Sequence, residues 1–391
     1  MRVLHVTERH DFSSGGLTTA LNSLMAGMMA TGHQMAVFSV GARPLVPKGV
    51  FSYGCEVEGA GRFWMCSRGL RGRLNEAIHH FRPQVIHTHG CWMAAQLFAL
   101  QLARKLGIPT VASFHNFLDP QVRPEPLNKL KKAAYWSMMG RRVFEHADVH
   151  HAITMKEVAH IRKCLPRARI IVIPHLLQDL PASAQIAKET VPRNKIAFLG
   201  RIARVKGIEQ LIAGFALSGL AGDWELVIAG PIQDNEFYQL LLKKAQELSV
   251  AKHVSFIGPV AGEQKWSLLR NAWIVCAPSH TEALGMVNLE AALCGTPSVT
   301  TPNSGLSEWY RNGGLLCEPT SGGVAAALTD AAGWSQDERA HRGRSLRKYV
   351  TAEFTSDSVR SKWAETYLRL HEQSLTRPNR QAQTDHPACA R

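Results

Sequence analysis

The chain has 391 residues, 45% hydrophobic and 19% charged, which is the balance of an ordinary soluble globular protein with room for two or three domains. That composition excludes a low-complexity or disulfide-stapled chain: no repeat with a period of about 20–50 residues shows itself, and the eight cysteines (55, 66, 91, 164, 276, 294, 317, 389) form no C-x-x-C pair. The +14 formal charge is one-sided, because residues 1–173 carry 22 Lys+Arg against 10 Asp+Glu, a net of +12, and residues 174–391 carry 23 against 21, a net of +2.

Short β-rich runs alternate with helical patterns along the whole chain, the signature of βαβ units and parallel sheets. "MRVLHVT", "QMAVFSV", "PQVIHTH", "PTVASF", "DVHHAIT" and "RIIVIP" predict six strands in the first half. "NKIAFLG", "WELVIAG", "HVSFIG", "AWIVCAP", "PSVTTP" and "GGLLCEP" repeat the plan in the second. The expected architecture is α/β: two facing Rossmann-like, doubly wound domains with an interdomain cleft. Ligands in such sheets sit beyond the carboxyl ends of the strands, so the loops there carry the candidate residues.

After the first strand comes "SSGGLTTAL", where Gly15 and Gly16 let the backbone approach a ligand and a helix opening near Leu17 offers N–H groups to an anion. The plainer alternative is a glycine turn with a cap and no ligand, and the dinucleotide G-x-G-x-x-G is absent. In "HTHG", His87 and His89 share one side of a strand, but no third ligand of matching spacing is visible, so a structural or acceptor-side role is expected and no metal. "LNKLKKAAYWSMMGRRVF" sets Lys129, Lys131, Lys132, Arg141 and Arg142 beside Leu130, Tyr135, Trp136, Met138, Met139 and Phe144. That basic amphipathic pattern fits an anionic leaflet, or equally a helix packed on its own domain with a solvated basic face. His150 and His151 read as a strand end.

"HLLQDLPASAQIAKETVPRN" is polar and strand-poor, as a linker should be. In "GRIARVKGIEQL", Arg201 leaves a strand end and Lys206 stands at the next helix, with Gly200 and Gly207 beside them. Two such cations can clamp a diphosphate, or simply be a solvated pair. "TEALGMVNLE" follows the strand "WIVCAPS" and places Glu282 and Glu290 around a helix start at about Met286. The amides of Gly285, Met286 and Val287 would form a positive pocket, which a phosphate suits and a carboxylate opposes. The two glutamates would then accept hydrogen bonds from flanking hydroxyls, and two hydroxyl-bearing rings joined by a diphosphate describe a nucleotide sugar. The plainer alternative is that Glu282 caps the helix and Glu290 is a polar residue near its start.

These residues match a family. "EALGMVNLE" with "CGTPSVTT", the "GRIARVKG" loop, the "GG" turn and "SFHN" resemble the retaining family 4 glycosyltransferases of the GT-B fold, over Met1 to about Leu370. "HTHGCWM", "GIPTVASFHNFLDP" and "LNKLKKAAYW" are similar to bacterial members that extend O-antigen or exopolysaccharide units. The resemblance implies Glu282 against the transferred sugar, Glu290 on the ribose, Arg201 and Lys206 on the diphosphate, and Gly15 and Gly16 closing on the donor. It places His115 near the donor sugar, within the catalytic set. It also implies retention by attack on the face from which the diphosphate leaves, the phosphate taking the acceptor proton. Ala283 and Leu284 stand where the family commonly has Gly and an aromatic, which narrows the turn beside the sugar. His175 and Leu176 replace the usual Asn-Gly, changing the expected hinge.

The implied boundaries are 1–173 for the acceptor-side domain, 174–193 for the linker and 194–350 for the nucleotide-sugar domain. A terminal helix over 351–371 returns to the first domain, and 372–391 forms a disordered tail. No D-x-D pair is present, and "DWE" and "DNE" are isolated, so no metal or other cofactor is expected. The N-terminus lacks a signal peptide's apolar stretch, and no run of about 18 apolar residues appears. The expectation is a cytoplasmic protein, peripheral at the inner face of the cytoplasmic membrane, acting on a glycan or a polyprenyl-diphosphate-linked acceptor. An epimerase or hydrolase of the same fold would act on donor alone. A nucleic-acid-binding protein would explain the charge, but no helix-turn-helix, RNP or zinc-finger pattern supports one.

Overall fold

The computed structural model describes residues 1–10, 16–41, 44–56, 69–119, 126–177 and 194–376. The chain divides into two compact units, Met1–Leu176 with Val359–Arg391, and Leu177–Ser358. In the first run β1 (Arg2–Val6), α1 (Gly16–Met29), β2 (Gln34–Val40), β3 (Phe51–Cys55), α2 (Leu70–Phe81), β4 (Val85–His89), α3 (Ala94–Leu106) and β5 (Thr110–Ser113). Next come α4 (Pro126–Tyr135), a π-helical turn (Trp136–Gly140), α5 (Arg141–Phe144), β6 (Val149–Ala152), α6 (Met155–Cys164) and β7 (Ile170–Val172). The strands form one parallel sheet in the order β3-β2-β1-β4-β5-β6-β7.

The second unit holds β8 (Lys195–Leu199), α7 (Ile208–Leu217), β9 (Glu225–Ala229), α8 (Asn235–Glu247), β10 (Val254–Gly258), α9 (Gly262–Asn271) and β11 (Ile274–Cys276). After these come α10 (Met286–Leu293), β12 (Ser298–Thr300), β13 (Leu315–Leu316), α11 (Ser321–Gly333) and α12 (Gln336–Phe354). Its parallel order, β10-β9-β8-β11-β12-β13, reverses direction between β8 and β11, as the first sheet does between β1 and β4. Those reversals are the topological switch points at which such sheets bind ligands.

Both sheets are covered on both faces, which is why their strands read as near-continuous apolar runs. In the second unit Phe198, Leu226 and Ile228 pack under Leu211 and Phe215 of α7 and Leu241 of α8, while Ala197 and Val275 meet Leu269 of α9 and Ala291 of α10. In the first, Leu4, Phe38 and Ile86 pack under α2 and α3. On the other face Val3, Val85, Val111 and Val149 meet Leu21 and Met25 of α1 and Trp363, Tyr367 and Leu370 of a last helix, α13 (Ser356–Leu375).

Each of the twelve predicted strands contains an observed one. The thirteenth, β3, is an edge strand whose "FSYGC" is mostly solvent-facing and contains Gly54, so it carries little of the apolar signal that marks a strand. The residues expected to form a terminal helix, 351–371, fall on the end of α12 and most of α13. Thr355 (φ −67°, ψ 158°) takes extended backbone between the two. α13 continues through 372–375, where the tail was expected, and its Val359–Leu375 stretch belongs to the first unit. Most of the expected linker, 178–193, lies outside the described residues, as do 377–391.

Candidate active site

The loops after β8 and β11 meet at the switch point of the second sheet. After Leu199 the chain makes a 3-10 turn over Arg204–Lys206 and enters α7 through Gly207, whose φ of 69° is left-handed. A Cβ there would lie 2.1 Å from the Pro278 carbonyl oxygen, so only glycine lets the two loops touch. The His280 N–H donates to the Val205 carbonyl at 2.9 Å and ties them together.

This contact brings Lys206 to Glu282. The ammonium donates to Glu282 Oε1 at 2.7 Å, and the Ser279 hydroxyl donates to the same oxygen at 2.7 Å. The pair is only 19% and 13% exposed. Among the described residues Glu282 Oε2 takes no hydrogen bond, so a carboxylate held at one oxygen keeps the other for a ligand hydroxyl. Arg201 is exposed, with Nη1 donating to Gln233 Oε1 at 2.8 Å beyond β9.

Glu290 lies on α10 and accepts from Lys265 Nζ of α9 at 2.9 Å, the ammonium also standing 4.2 Å from the Trp266 ring. Lys265 and Ser279 escape sequence reasoning because neither sits in a motif and only the packing of α9 and the β11 loop aims them. Of the three amides expected to form an anion pocket, two are engaged within the chain. The Gly285 N–H donates to the Ser304 carbonyl at 3.0 Å, and the Met286 N–H to the Leu284 carbonyl at 2.8 Å. Val287, at the second helical position, is among the donors a helix start leaves without an intrahelical partner.

In the first unit the inward face of the sheet turns polar at its carboxyl end. By the two-residue period of a strand, Val3 is followed by His5, Val85 by His87 and His89, Val111 by Ser113 and Val149 by His151. His5 pairs in register with His87 across the switch point. His115 follows β5 in left-handed backbone (φ 50°), as does Asn116 (φ 64°). Buried Glu157 of α6 holds that bend: Oε1 accepts the Asn116 N–H at 2.5 Å and Oε2 the Ile153 N–H at 2.7 Å. Burial pushes the Glu157 carboxyl up to about 7.

The histidines form a network. His5 Nδ1 and His89 Nε2 are 2.9 Å apart, and His89 Nδ1 and His115 Nε2 are 2.8 Å apart. His87 bonds Tyr367 and Ser113, Ser113 bonds His151, and His151 bonds the Ile173 carbonyl. His175 stacks on His115 with ring centres 5.5 Å apart. Burial holds His5 and His151 down to about 3 and His175 to about 4, and holds His87, His89 and His115 well below 6.5, so all six imidazoles are neutral at pH 7. All but His5 line a cavity of about 20 Å³, room for one water.

The third histidine that strand spacing could not reveal is His5, whose ring nitrogen lies within 4.8 Å of those of His87 and His89. Metal ligation there would replace existing bonds, since His5 Nδ1 and His89 Nε2 face each other and both His87 nitrogens are engaged.

Gly16 is the first residue of α1, and Gly15 lies outside the described residues. The basic stretch forms α4, the π turn and α5, with Leu130 (73%), Met138 (68%), Met139, Lys131, Arg141 and Arg142 exposed. Tyr135 and Trp136 instead pack against Trp92, Phe144 is buried against Phe114, and Lys132 lies 4.9 Å over the Trp92 ring. Lys129 lies on α4, its side chain outside the described residues. No helix among the described residues is long and apolar enough to cross a membrane.

Known proteins carry the same architecture. Sucrose-phosphate synthase from Thermosynechococcus elongatus is 18% identical with a TM-score of 0.77, covering 95% of this chain and 100% of that one. Anabaena HepE, solved in complex with UDP and glucose, is 17% identical with a TM-score of 0.72, covering 94% and 100%. The fold is the two-domain α/β fold of the GT-B class. Residues 15–175 match the family model described as "Glycosyl transferase 4-like domain", and residues 181–346 the one described as "Glycosyl transferases group 1". The chain belongs to the family 4 glycosyltransferases. Glycogen synthase of Mycobacterium tuberculosis (strain ATCC 25618 / H37Rv) is 26% identical over 411 residues, 94% of each chain. The D-inositol 3-phosphate glycosyltransferase of Salinispora tropica is 28% identical over 272 residues, 62% of this chain and 54% of that one.

Proposed function

We propose that this protein is a retaining hexosyltransferase that moves a sugar from a nucleoside-diphosphate sugar to a glycan or polyprenyl-diphosphate-linked glycan in bacterial surface polysaccharide synthesis. The observation that carries the reading is the Lys206–Glu282–Ser279 constellation at the β8/β11 switch point. An ammonium has three donors, so Lys206 can keep Glu282 and still hold a phosphate oxygen. Arg201 adds a second cation to the same diphosphate, and together they offset charge on the leaving group.

Glu282 Oε2 accepts from a hydroxyl of the transferred sugar, Glu290 from the ribose, and His115 meets the sugar. The departing phosphate takes the acceptor proton on the face where the new bond forms. With Lys206 and Arg201 on the diphosphate, no metal is required. UDP in HepE makes UDP-sugars the first donors to test. The protein works at the inner face of the cytoplasmic membrane, to which the exposed apolar and basic groups of α4–α5 attach it.

Thermal shift against UDP-, GDP- and ADP-sugars identifies the donor, since a bound ligand stabilises by mass action. Lys206→Ala and Glu282→Ala should each then lower kcat by roughly two to three decades, about 2–4 kcal/mol of lost transition-state stabilisation. Retention of more than about a tenth of wild-type kcat by either folded variant would refute its role. Strong inhibition by EDTA, reversed by Mg²⁺ or Mn²⁺, would refute the metal-free step. Conversion of donor with no acceptor present would favour the epimerase or hydrolase reading.

A further inference from the structure

The two branches of the buried histidine network differ in one respect. The first ends on a carbonyl, which can only accept, and so has a single solution with neutral rings. His151 Nε2–H donates to the Ile173 carbonyl at 2.7 Å, and His151 Nδ1 therefore accepts from the Ser113 hydroxyl at 2.6 Å. Ser113 Oγ accepts from His87 Nε2–H at 2.6 Å, and His87 Nδ1 accepts from the Tyr367 hydroxyl at 2.8 Å. The second branch, His5–His89–His115, has no such anchor: among the described residues His5 Nε2 and His115 Nδ1 are both buried without a hydrogen-bond partner.

Neutral rings allow the second branch two arrangements, each leaving one orphan N–H, at His5 Nε2 or at His115 Nδ1. The His5 end is sealed, its residue 0% exposed, so an N–H there meets nothing and bears the desolvation penalty of a buried orphan donor. His115 Nδ1 is buried too, but its residue is half-buried and borders the small cavity, which His5 does not, and an oxygen there can accept. The orphan proton therefore belongs at the His115 end.

We propose that His5 and His89 are positioning residues that hold His115 in its Nδ1–H form, so that it meets its ligand as a hydrogen-bond donor to an oxygen. All three rings then carry the proton on Nδ1. His5 Nδ1–H donates to His89 Nε2, His89 Nδ1–H donates to His115 Nε2, and His115 Nδ1–H is left for the ligand. With His115 at the transferred sugar, a placement that rests on the proposed function, the group it recognises is a sugar hydroxyl oxygen. Burial, the largest influence on all three rings, keeps them neutral at physiological pH.

¹⁵N-histidine NMR on the full chain at pH 7.5, assigned with single His→Gln variants, reads the tautomers directly. The expected pattern is Nδ1–H at His5, His89 and His115, and Nε2–H at His87 and His151. An Nε2–H form at His115 overturns the proposal. His89→Asn places an amide where Nδ1 stood, so it should keep the His115 tautomer and stay within about threefold of wild-type kcat/KM. His89→Leu removes the bond to His115, so it should release that tautomer and lower kcat/KM about tenfold, the upper range for one hydrogen bond. Equal activity of the Leu and Asn variants, both folded, would also overturn it. If His115→Ala keeps full activity, the placement of His115 at the sugar fails, and the tautomer pattern still decides the chain on its own.

Discussion

Gly207 shows how one residue without a side chain places two with charge. Its left-handed backbone and the 2.1 Å approach a Cβ would make to the Pro278 oxygen are separate penalties. Gly219 has the same φ of 69° with nothing near its missing Cβ and serves as a control. A left-handed non-glycine costs about 1–3 kcal/mol, so Gly219→Ala should lower Tm by a few degrees. Gly207→Ala adds the steric term and should lower it by at least about 5 °C more, at roughly 2–4 °C per kcal/mol for a unit of this size, while weakening donor binding. Equal Tm values by calorimetry would mean the β8 and β11 loops are not held in contact. The motif residues Lys206 and Glu282 were legible because each sits in a glycine-bearing loop, "GRIARVKG" and "EALGMVNLE", directly after a predicted strand. Ser279 and Lys265 were not, because what aims them at the glutamates is tertiary.

At the scale of the element, the twelve apolar strands were legible from their pattern, whereas β3 and the π turn carry no comparable signal. The amphipathic run of α4–α5 was legible as a pattern but not in its allocation. Tyr135, Trp136 and Phe144 are committed to packing against Trp92 and Phe114, which leaves Leu130, Met138 and Met139 as the apolar groups facing outward with Arg141 and Arg142. A membrane-bound run of this kind draws about 1 kcal/mol from each cation near an anionic surface, within a Debye length of about 8–10 Å. The double variant Arg141→Glu/Arg142→Glu, and separately Met138→Asp, should therefore release the protein from vesicles containing anionic lipid. Activity on a short water-soluble acceptor should persist. Flotation decides it: binding that is equal on neutral and anionic vesicles, or unchanged in both variants, makes this run an ordinary solvated face.

At the scale of the whole molecule, the two units differ in where their histidines lie. His5, His87, His89, His115, His151 and His175 are packed into the first, whereas His253, His280 and His341 of the second are exposed or half-buried. A histidine whose folded pKa is depressed takes up its proton more readily when unfolded. Its stabilising contribution is thus present above about 6.5 and is lost as pH falls toward the folded values of about 3–4. Glu157 works in the opposite direction, since its carboxyl, raised to about 7, favours the folded state most at low pH and less as pH rises from 4.5. Two raised carboxyls, Glu8 and Glu157, against nine lowered imidazoles, the six above with His33, His150 and His160, leave the first unit acid-labile, each buried imidazole steepening the slope by up to about 1.4 kcal/mol per pH unit. Pulsed hydrogen exchange on the full chain should show peptides from residues 1–176 losing protection between pH 6.5 and 4, ahead of those from 177–358. Earlier or simultaneous loss in the second unit would mean that the histidine layer does not control acid stability.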